Sequence, residues 1–177
     1  GGSRYLSTRI NNCFATGTAS GRNTIGGLVG YTDGFFRLDR SFSSVRINSD
    51  FASGGVLGNH NSGIVSTTYW SSDLSKRTDL AEQNGAVNFH SDLLKCPIKA
   101  NVNKDTSSCF PIGSADDIHL YLGWENQYTD KDSITRSIWD FGSSNQFPGL
   151  NFHGEVYRDS DGDGSLDSDD TWPLLSA

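Results

Sequence analysis

Methionine is absent, prolines number only four and cysteines three, and no long apolar run is present. The last absence excludes a membrane-spanning helix, which needs roughly 20 consecutive apolar residues. Hydrophobic residues make up 34% of the chain, and its 14 Lys and Arg are scattered rather than clustered. Nucleic-acid binding leaves a concentrated basic footprint, so nucleic acid is not an expected partner. No signal peptide is legible, so a chain of this kind is exported only if the targeting segment lies outside it. The opening Gly1-Gly2-Ser3 reads as the start of a fragment or processed product.

What is present points to β structure. Twenty glycines and abundant Ser, Thr, Asn and Asp suit a turn-rich all-β fold better than a helical bundle. Aromatic residues at 11% argue against disorder. The formal charge is −7, and six aspartates fall between Asp159 and Asp170. An anionic lipid surface would repel that end, so membrane insertion is not expected. Cys96 and Cys109 flank a polar, proline-bounded stretch. A disulfide there would close a short loop and stabilise it by about 3 kcal/mol in the chain-entropy estimate. In a reducing compartment the same pair stays as two thiols. Cys13 is left over, on an apolar-alternating stretch, as a small buried side chain.

The first half repeats itself. Cys13-Phe14-Ala15-Thr16-Gly17-Thr18 aligns with Ser41-Phe42-Ser43-Ser44-Val45-Arg46 at an offset of 28. Gly26-Gly27-Leu28-Val29-Gly30 aligns with Gly54-Gly55-Val56-Leu57-Gly58 at the same offset, and Ile10, Leu38 and Ser66 follow it too. A partial third copy lies at Thr67-Thr68-Tyr69-Trp70, where Tyr69 falls 27 after Phe42. A fixed period in this range means stacked repeats, each too small to bury its own apolar face. The alternating faces of Ser41 to Ile47 predict a half-buried strand. The glycine pairs are expected to supply unusual backbone angles. Leu28-Val29 and Val56-Leu57 are expected to point into the stacked core. The expected fold is a short right-handed parallel β-solenoid of 28-residue coils. G-G-x-x-G is half of a dinucleotide fingerprint, but no amphipathic helix or placed acid follows either copy.

These two motif pairs resemble GLUG repeats, whose usual form is S-Y-A-T-G, a variable turn, then G-G-L-V-G. The second copy departs from it with Val56-Leu57. The later Tyr69-Trp70-Ser71-Ser72-Asp73, Trp139-Asp140-Phe141-Gly142 and Phe147-Pro148-Gly149-Leu150 resemble the way such arrays close. The resemblance implies a large extracellular bacterial protein of adhesin type, and it spans most of residues 5 to 152. The Cys96 to Cys109 segment lies outside that pattern.

Three segments are expected: repeats over 1–72, a capping region over 73–153 and an acidic segment over 154–177. Within the second, Ser91 to Lys95 predicts one helical turn stopped by Cys96-Pro97. Ile118 to Leu122 alternates like a strand, and residues 101 to 117 read as loop. Trp124, Trp139 and Phe141 suit a cover over the open end of the repeats. A second reading makes Trp124, Tyr128 and Trp139 a stacking platform for a surface glycan.

The acidic segment carries the sharpest chemical signal. Twelve-residue calcium loops place oxygen ligands at positions 1, 3, 5, 7, 9 and 12, with Gly at 6. Counted from Asp159, the ligands are Asp159, Asp161, Asp163, the Ser165 carbonyl, Asp167 and Asp170, with Gly164 at the turn. Calcium is a hard cation that takes several oxygens in flexible geometry, and without it these carboxylates repel one another. Leu166 is placed to anchor the loop inward. Position 12 holds Asp rather than Glu, and flanking helices are not evident. The segment therefore resembles thrombospondin type 3 calcium repeats more closely than an EF-hand. Its expected affinity is in the extracellular class, on the order of 10⁻⁴ to 10⁻³ M. Trp172-Pro173-Leu174-Leu175 is expected to fold back once the loop is ordered.

Catalytic signatures are missing. His60, His90, His119 and His153 lie far apart and form no zinc spacing, and there is no G-x-S-x-G elbow. Asp33, Asp39 and Asp50 are the only candidates for paired acids on a repeat face. The expectation is a calcium-stabilised extracellular adhesive or structural module and not an enzyme. Its partners are further domains of a larger chain, copies of itself in a filament, or surface glycans.

Overall fold

The computed structural model describes residues 8–49, 53–75, 85–95, 120–121, 123–124, 126–142 and 146–174. Their regular structure is overwhelmingly β, with two single-turn helices, as the composition predicts. Cys96, Cys109, Asp50 and His119 lie outside the described residues, as do residues 101 to 117. No described helix is long and apolar enough to cross a membrane.

The chain divides into two compact units, Gly1–His90 and Ser91–Ala177. The breaks expected after 72 and 153 do not coincide with this division. Strand pairing continues past 72 in the first unit and runs across 153 in the second.

In the first unit the strands are β1 (Thr8–Asn11), β2 (Phe14–Ala15), β3 (Thr18–Gly21), β4 (Ile25–Gly26), β5 (Val29–Ser43), β6 (Arg46–Ser49), β7 (Ser53–Gly54), β8 (Leu57–Ser71) and β9 (Ala86–Phe89), with α1 (Ser72–Ser75) between the last two. Every pairing is parallel: β1 and β2 on β5, β3 on β6, β4 on β7, β5 on β8, and β8 on β9. The register is the sequence repeat. Ile10 faces Leu38, Phe14 faces Phe42, Ala19 faces Ile47, Gly26 faces Gly54 and Val29 faces Leu57. A one-residue slip would turn each buried side chain outward, which is why the apolar pattern fixes the pairing.

The step shortens once. Between Thr32 and Phe35, two β5 residues stand against one on β8, so Leu38 faces Val65 rather than Ser66, which faces Asp39. This corrects the Ile10–Leu38–Ser66 alignment and accounts for the 27-residue step from Phe42 to Tyr69. Gly34 sits in this bulge at φ 136°, a conformation that suits glycine. Thr68 then faces Ala86, so the last return is shorter still.

Identical positions stack on one another. Leu38, Val56, Leu57 and Trp70 are at most 1% exposed and join Phe36, Val65 and Ala86 in the core, with Ile10, Leu28 and Val29 packed against it. Each buried aliphatic side chain contributes about 1.5–3 kcal/mol. The Phe14 and Phe42 rings stack 5.5 Å apart and nearly parallel. Asn12, Arg40 and Thr67, which follow one another at the repeat step, all adopt left-handed φ angles near 50°. The buried Asp39 carboxylate holds this corner. It accepts the Thr67 hydroxyl at 2.6 Å and the Ser66 hydroxyl at 3.1 Å, and it pairs with Arg40.

The glycine pairs serve close approach rather than unusual backbone angles, a correction to the sequence expectation. Gly26, Gly27 and Gly55 are not among the positive-φ glycines. A Cβ on Gly27 would run into the Ser43 side chain and the Gly55 carbonyl, and one on Gly55 would enter the Trp70 ring. Leu28 and Val29 both donate their N–H groups to the Val56 carbonyl at 3.0 Å, which draws the two copies together.

The second unit holds α2 (Ser91–Leu94), the antiparallel hairpin β10 (Gln127–Thr129) and β11 (Thr135–Ser137), and a three-stranded antiparallel sheet of β12 (Trp139–Asp140), β13 (Gly149–Phe152) and β14 (Glu155–Tyr157). The helical turn at Ser91 is the one the sequence predicts. Leu120 and Tyr121 lie in a turn rather than the expected strand. The core is aromatic: Trp124 lies 4.7 Å from Trp139 and 4.9 Å from Tyr121, which lies 5.4 Å from Phe141. The Tyr121 hydroxyl donates to the Leu94 carbonyl, so its polar tip is satisfied inside the core.

Candidate metal centre

The acidic loop leaves the sheet at the end of β14. Arg158 comes next and is buried, its guanidinium bonded to the Asp140 carboxylate, the Asp140 carbonyl and Gln146. Its own carbonyl accepts the Asp167 N–H at 2.7 Å, which closes residues 158–167 into a loop. Asp159 is then 1% exposed, and its two carboxylate oxygens accept the N–H groups of Gly162 at 2.7 Å and Gly164 at 2.8 Å. Both glycines have positive φ, 83° and 107°, which turns their N–H groups inward. A side chain at either position would be strained.

This winding brings Asp159, Asp161 and Asp163 together. One carboxylate oxygen of each lies within 4.8 Å of the others. Oxygens bound to one calcium at 2.3–2.6 Å stand at most about 5 Å apart, so the spacing fits that ion. One Asp161 oxygen is buried and meets no hydrogen-bond donor. Burial pushes the Asp161 carboxyl above the usual carboxylate range, and the charges of Asp163 and Asp159 add to the effect. A cation bridging the three groups would reverse that penalty.

Asp167 and Asp170 fall outside this group of three, and each makes bonds of its own within the loop. The Asp167 carboxylate is taken up by the Ser160 N–H at 2.7 Å and the Ser160 hydroxyl at 2.6 Å. Asp170 accepts the Trp172 N–H at 2.8 Å. Ser165 is exposed, and its N–H donates to Asp163. Leu166 is half-buried, and its carbonyl accepts from Asp169 and Asp170. Among the described residues, these three aspartates form the only group of three or more acidic, His or Cys side chains close enough to share an ion.

The glycan platform expected from Trp124 and Trp139 is overturned by their burial, at 0% and 2% exposed, because neither ring has a face open to a sugar. Tyr128 is half-buried, and its hydroxyl accepts the His153 N–H at 2.7 Å. Among the described residues of this unit, the large exposed aromatics are others: Phe152 at 58%, Tyr157 at 39% and Trp172 at 66%. Trp172 and Leu174 are exposed. Sequence reasoning also missed Asp130. It accepts the N–H groups of Asp132 and Ile134 at 2.9 Å and Arg136 Nε at 2.7 Å, fixing the β10–β11 turn. The D-x-D-S spelling of that turn is the signal that would have revealed it.

In the first unit, Asp39 is committed to the corner and His90 lies 3.7 Å from Asp73. The Cys13 thiol is half-buried, donates to the Asn11 carbonyl and is pushed up by burial. A free groove acid is therefore not offered by Asp39. No family model matches the chain, and no curated protein or solved structure matches it either. The resemblances to GLUG and thrombospondin type 3 repeats thus rest on the motifs themselves.

Proposed function

We propose that the chain is an extracellular structural or adhesive module of a bacterial surface protein: a short right-handed parallel β-solenoid of 28-residue coils followed by an aromatic-cored unit that carries a calcium loop. The observation that carries this reading is the parallel register between the first two copies, in which β1, β2, β3 and β4 each pair with the residues 28 further on. A fold built this way extends by adding coils and presents a rigid surface. The calcium part rests on the convergence of Asp159, Asp161 and Asp163 around a buried oxygen that lacks a donor. Calcium there acts structurally, by removing the repulsion among the carboxylates.

The test is a calorimetric calcium titration of the purified chain, with light scattering at each end point. Saturable binding by a monomer is expected, and Asp161→Ala with Asp163→Ala should abolish it. Binding that survives both substitutions would sink the site, and large calcium-dependent assemblies would favour the filament form of the same role.

One observation favours a second reading, a carbohydrate-binding module. Phe152 and Glu155 are opposite one another on β13 and β14, Tyr157 is next along the same face, and all three are exposed. The Tyr157 hydroxyl donates to Glu155 at 3.0 Å. Exposed rings beside a carboxylate suit a pyranose. Retention on an immobilised polysaccharide that Phe152→Ala removes would support this, and equal retention of both proteins would exclude it.

A further inference from the structure

We propose that Arg158 is a positioning residue that couples occupancy of the Asp159–Asp161–Asp163 cluster to the sheet of β12, β13 and β14; the inference rests on the calcium reading above. Arg158 belongs to both structures at once. It follows β14 directly and precedes Asp159 directly, so whatever fixes its backbone fixes the first ligand. Its carbonyl closes the loop through Asp167, while its guanidinium reaches the other way, to the Asp140 carboxylate and carbonyl on β12.

Two further details fit this seat to the terminal nitrogens of the guanidinium, while its buried Nε meets no acceptor. Gly142 packs so closely that a Cβ there would lie 2.9 Å from the guanidinium carbon. The Gly142 N–H also donates to the same Asp140 carboxylate at 2.8 Å, which holds that acid in place for its partner. The planar, multiply donating guanidinium can bond a carboxylate, a carbonyl and an amide oxygen together, which lysine cannot do. The charge of Arg158 is thereby directed at Asp140 and away from the loop, leaving the three carboxylates available to an outside cation.

Loop closure and sheet closure then share one residue, so a ligand that favours one favours the other to the extent that Arg158 couples them, and the coupling is reciprocal. Hydrogen exchange of the full chain tests this. With calcium at about ten times its dissociation constant, openings that release the ion slow about tenfold. That slowing should appear in residues 149–157 as well as in 158–167, and not in residues 29–43 or 57–71.

In Arg158→Gln, assayed at about ten times its own dissociation constant, slowing in 158–167 should persist while that in 149–157 falls below about twofold. Comparing at equal saturation separates coupling from simple loss of affinity. If Arg158→Gln does not fold, Asp140→Asn decides, because it removes the ion pair and leaves the bond to the Asp140 carbonyl. It should transmit less than the parent. Full transmission in the variant, or a parent effect confined to 158–167, overturns the coupling and leaves the calcium reading intact. An absence of calcium binding in the parent overturns the calcium reading itself.

Discussion

In the first unit a side chain meets its own copy from the neighbouring repeat, whereas in the second an aspartate meets the backbone of its own turn. Leu38, Val56, Leu57 and Trp70 are held by apolar contacts between residues far apart in sequence. Asp130 and Asp159 instead gather N–H groups from two to five residues ahead. The difference teaches where each unit is vulnerable. The first fails when volume is changed, because interiors are close-packed. The second has an aromatic core of its own, but its turns fail when a carboxylate is neutralised, because the carboxylates supply the bonds that shape them.

The largest expected effect comes from emptying the first core. Trp70→Ala removes a fully buried indole and should destabilise that unit by about 3–5 kcal/mol. Urea unfolding followed by circular dichroism measures it, and a loss below about 1 kcal/mol would mean that the stacked core is not what holds the repeats. The converse change is next in size. Gly55→Ala adds one methyl group where the Trp70 ring already lies, and overpacking of this kind costs about 1–3 kcal/mol. Combining it with Trp70→Ala should relieve much of that penalty, because the ring being struck is gone. Strict additivity would instead show that the glycine acts through something other than this contact.

The asymmetry between the units also decided what the sequence revealed. Motif spacing told the register of the repeats in advance, since a residue facing its own copy leaves a period in the text. The 27-residue step from Phe42 to Tyr69 announced a lost residue, but not that the loss lies opposite residues 33 and 34, because their neighbourhood carries no motif. The short return from Thr68 to Ala86 left no motif at all. For the aromatic residues, type alone does not encode exposure. Trp124 and Trp139 read either as a cover or as a sugar platform and are buried, while Phe152 drew no notice and is exposed. In the loop, alternating aspartates serve two purposes that spacing does not separate: Asp159, Asp161 and Asp163 converge, and Asp167 and Asp170 tie down N–H groups nearby.

Acid should separate the units in the same way. Hydrogen bonds from Arg136, then Ile134 and Asp132, hold the Asp130 carboxyl below its usual range. Its contribution is therefore complete above the unfolded value near ~3.9 and is lost as pH falls through the lower folded value. Thermal midpoints of Asp130→Asn and the parent, compared from neutral to strongly acidic pH, should differ most near neutrality and converge in acid. A gap that stays constant with pH would mean that the charge of Asp130 is not what the turn uses.

The smallest effect is expected at Trp172, and it bears on whether the second unit ever borrows the strategy of the first. The indole is 66% exposed, its N–H backbone bond to Asp170 does not involve the side chain, and Leu174 beside it is also in solvent. Trp172→Ala should change stability by less than about 0.5 kcal/mol, as substitutions on open surface do. Calcium should leave that result unaltered. The loop backbone is already closed through Asp159 and Asp167, so an ion entering among the carboxylates has no need to move the following turn. A calcium-dependent blue shift in tryptophan emission that vanishes in Trp172→Ala would contradict this. It would mean that the bound ion recruits Trp172 as an apolar cover, making packing and carboxylate bonding two stages of one assembly.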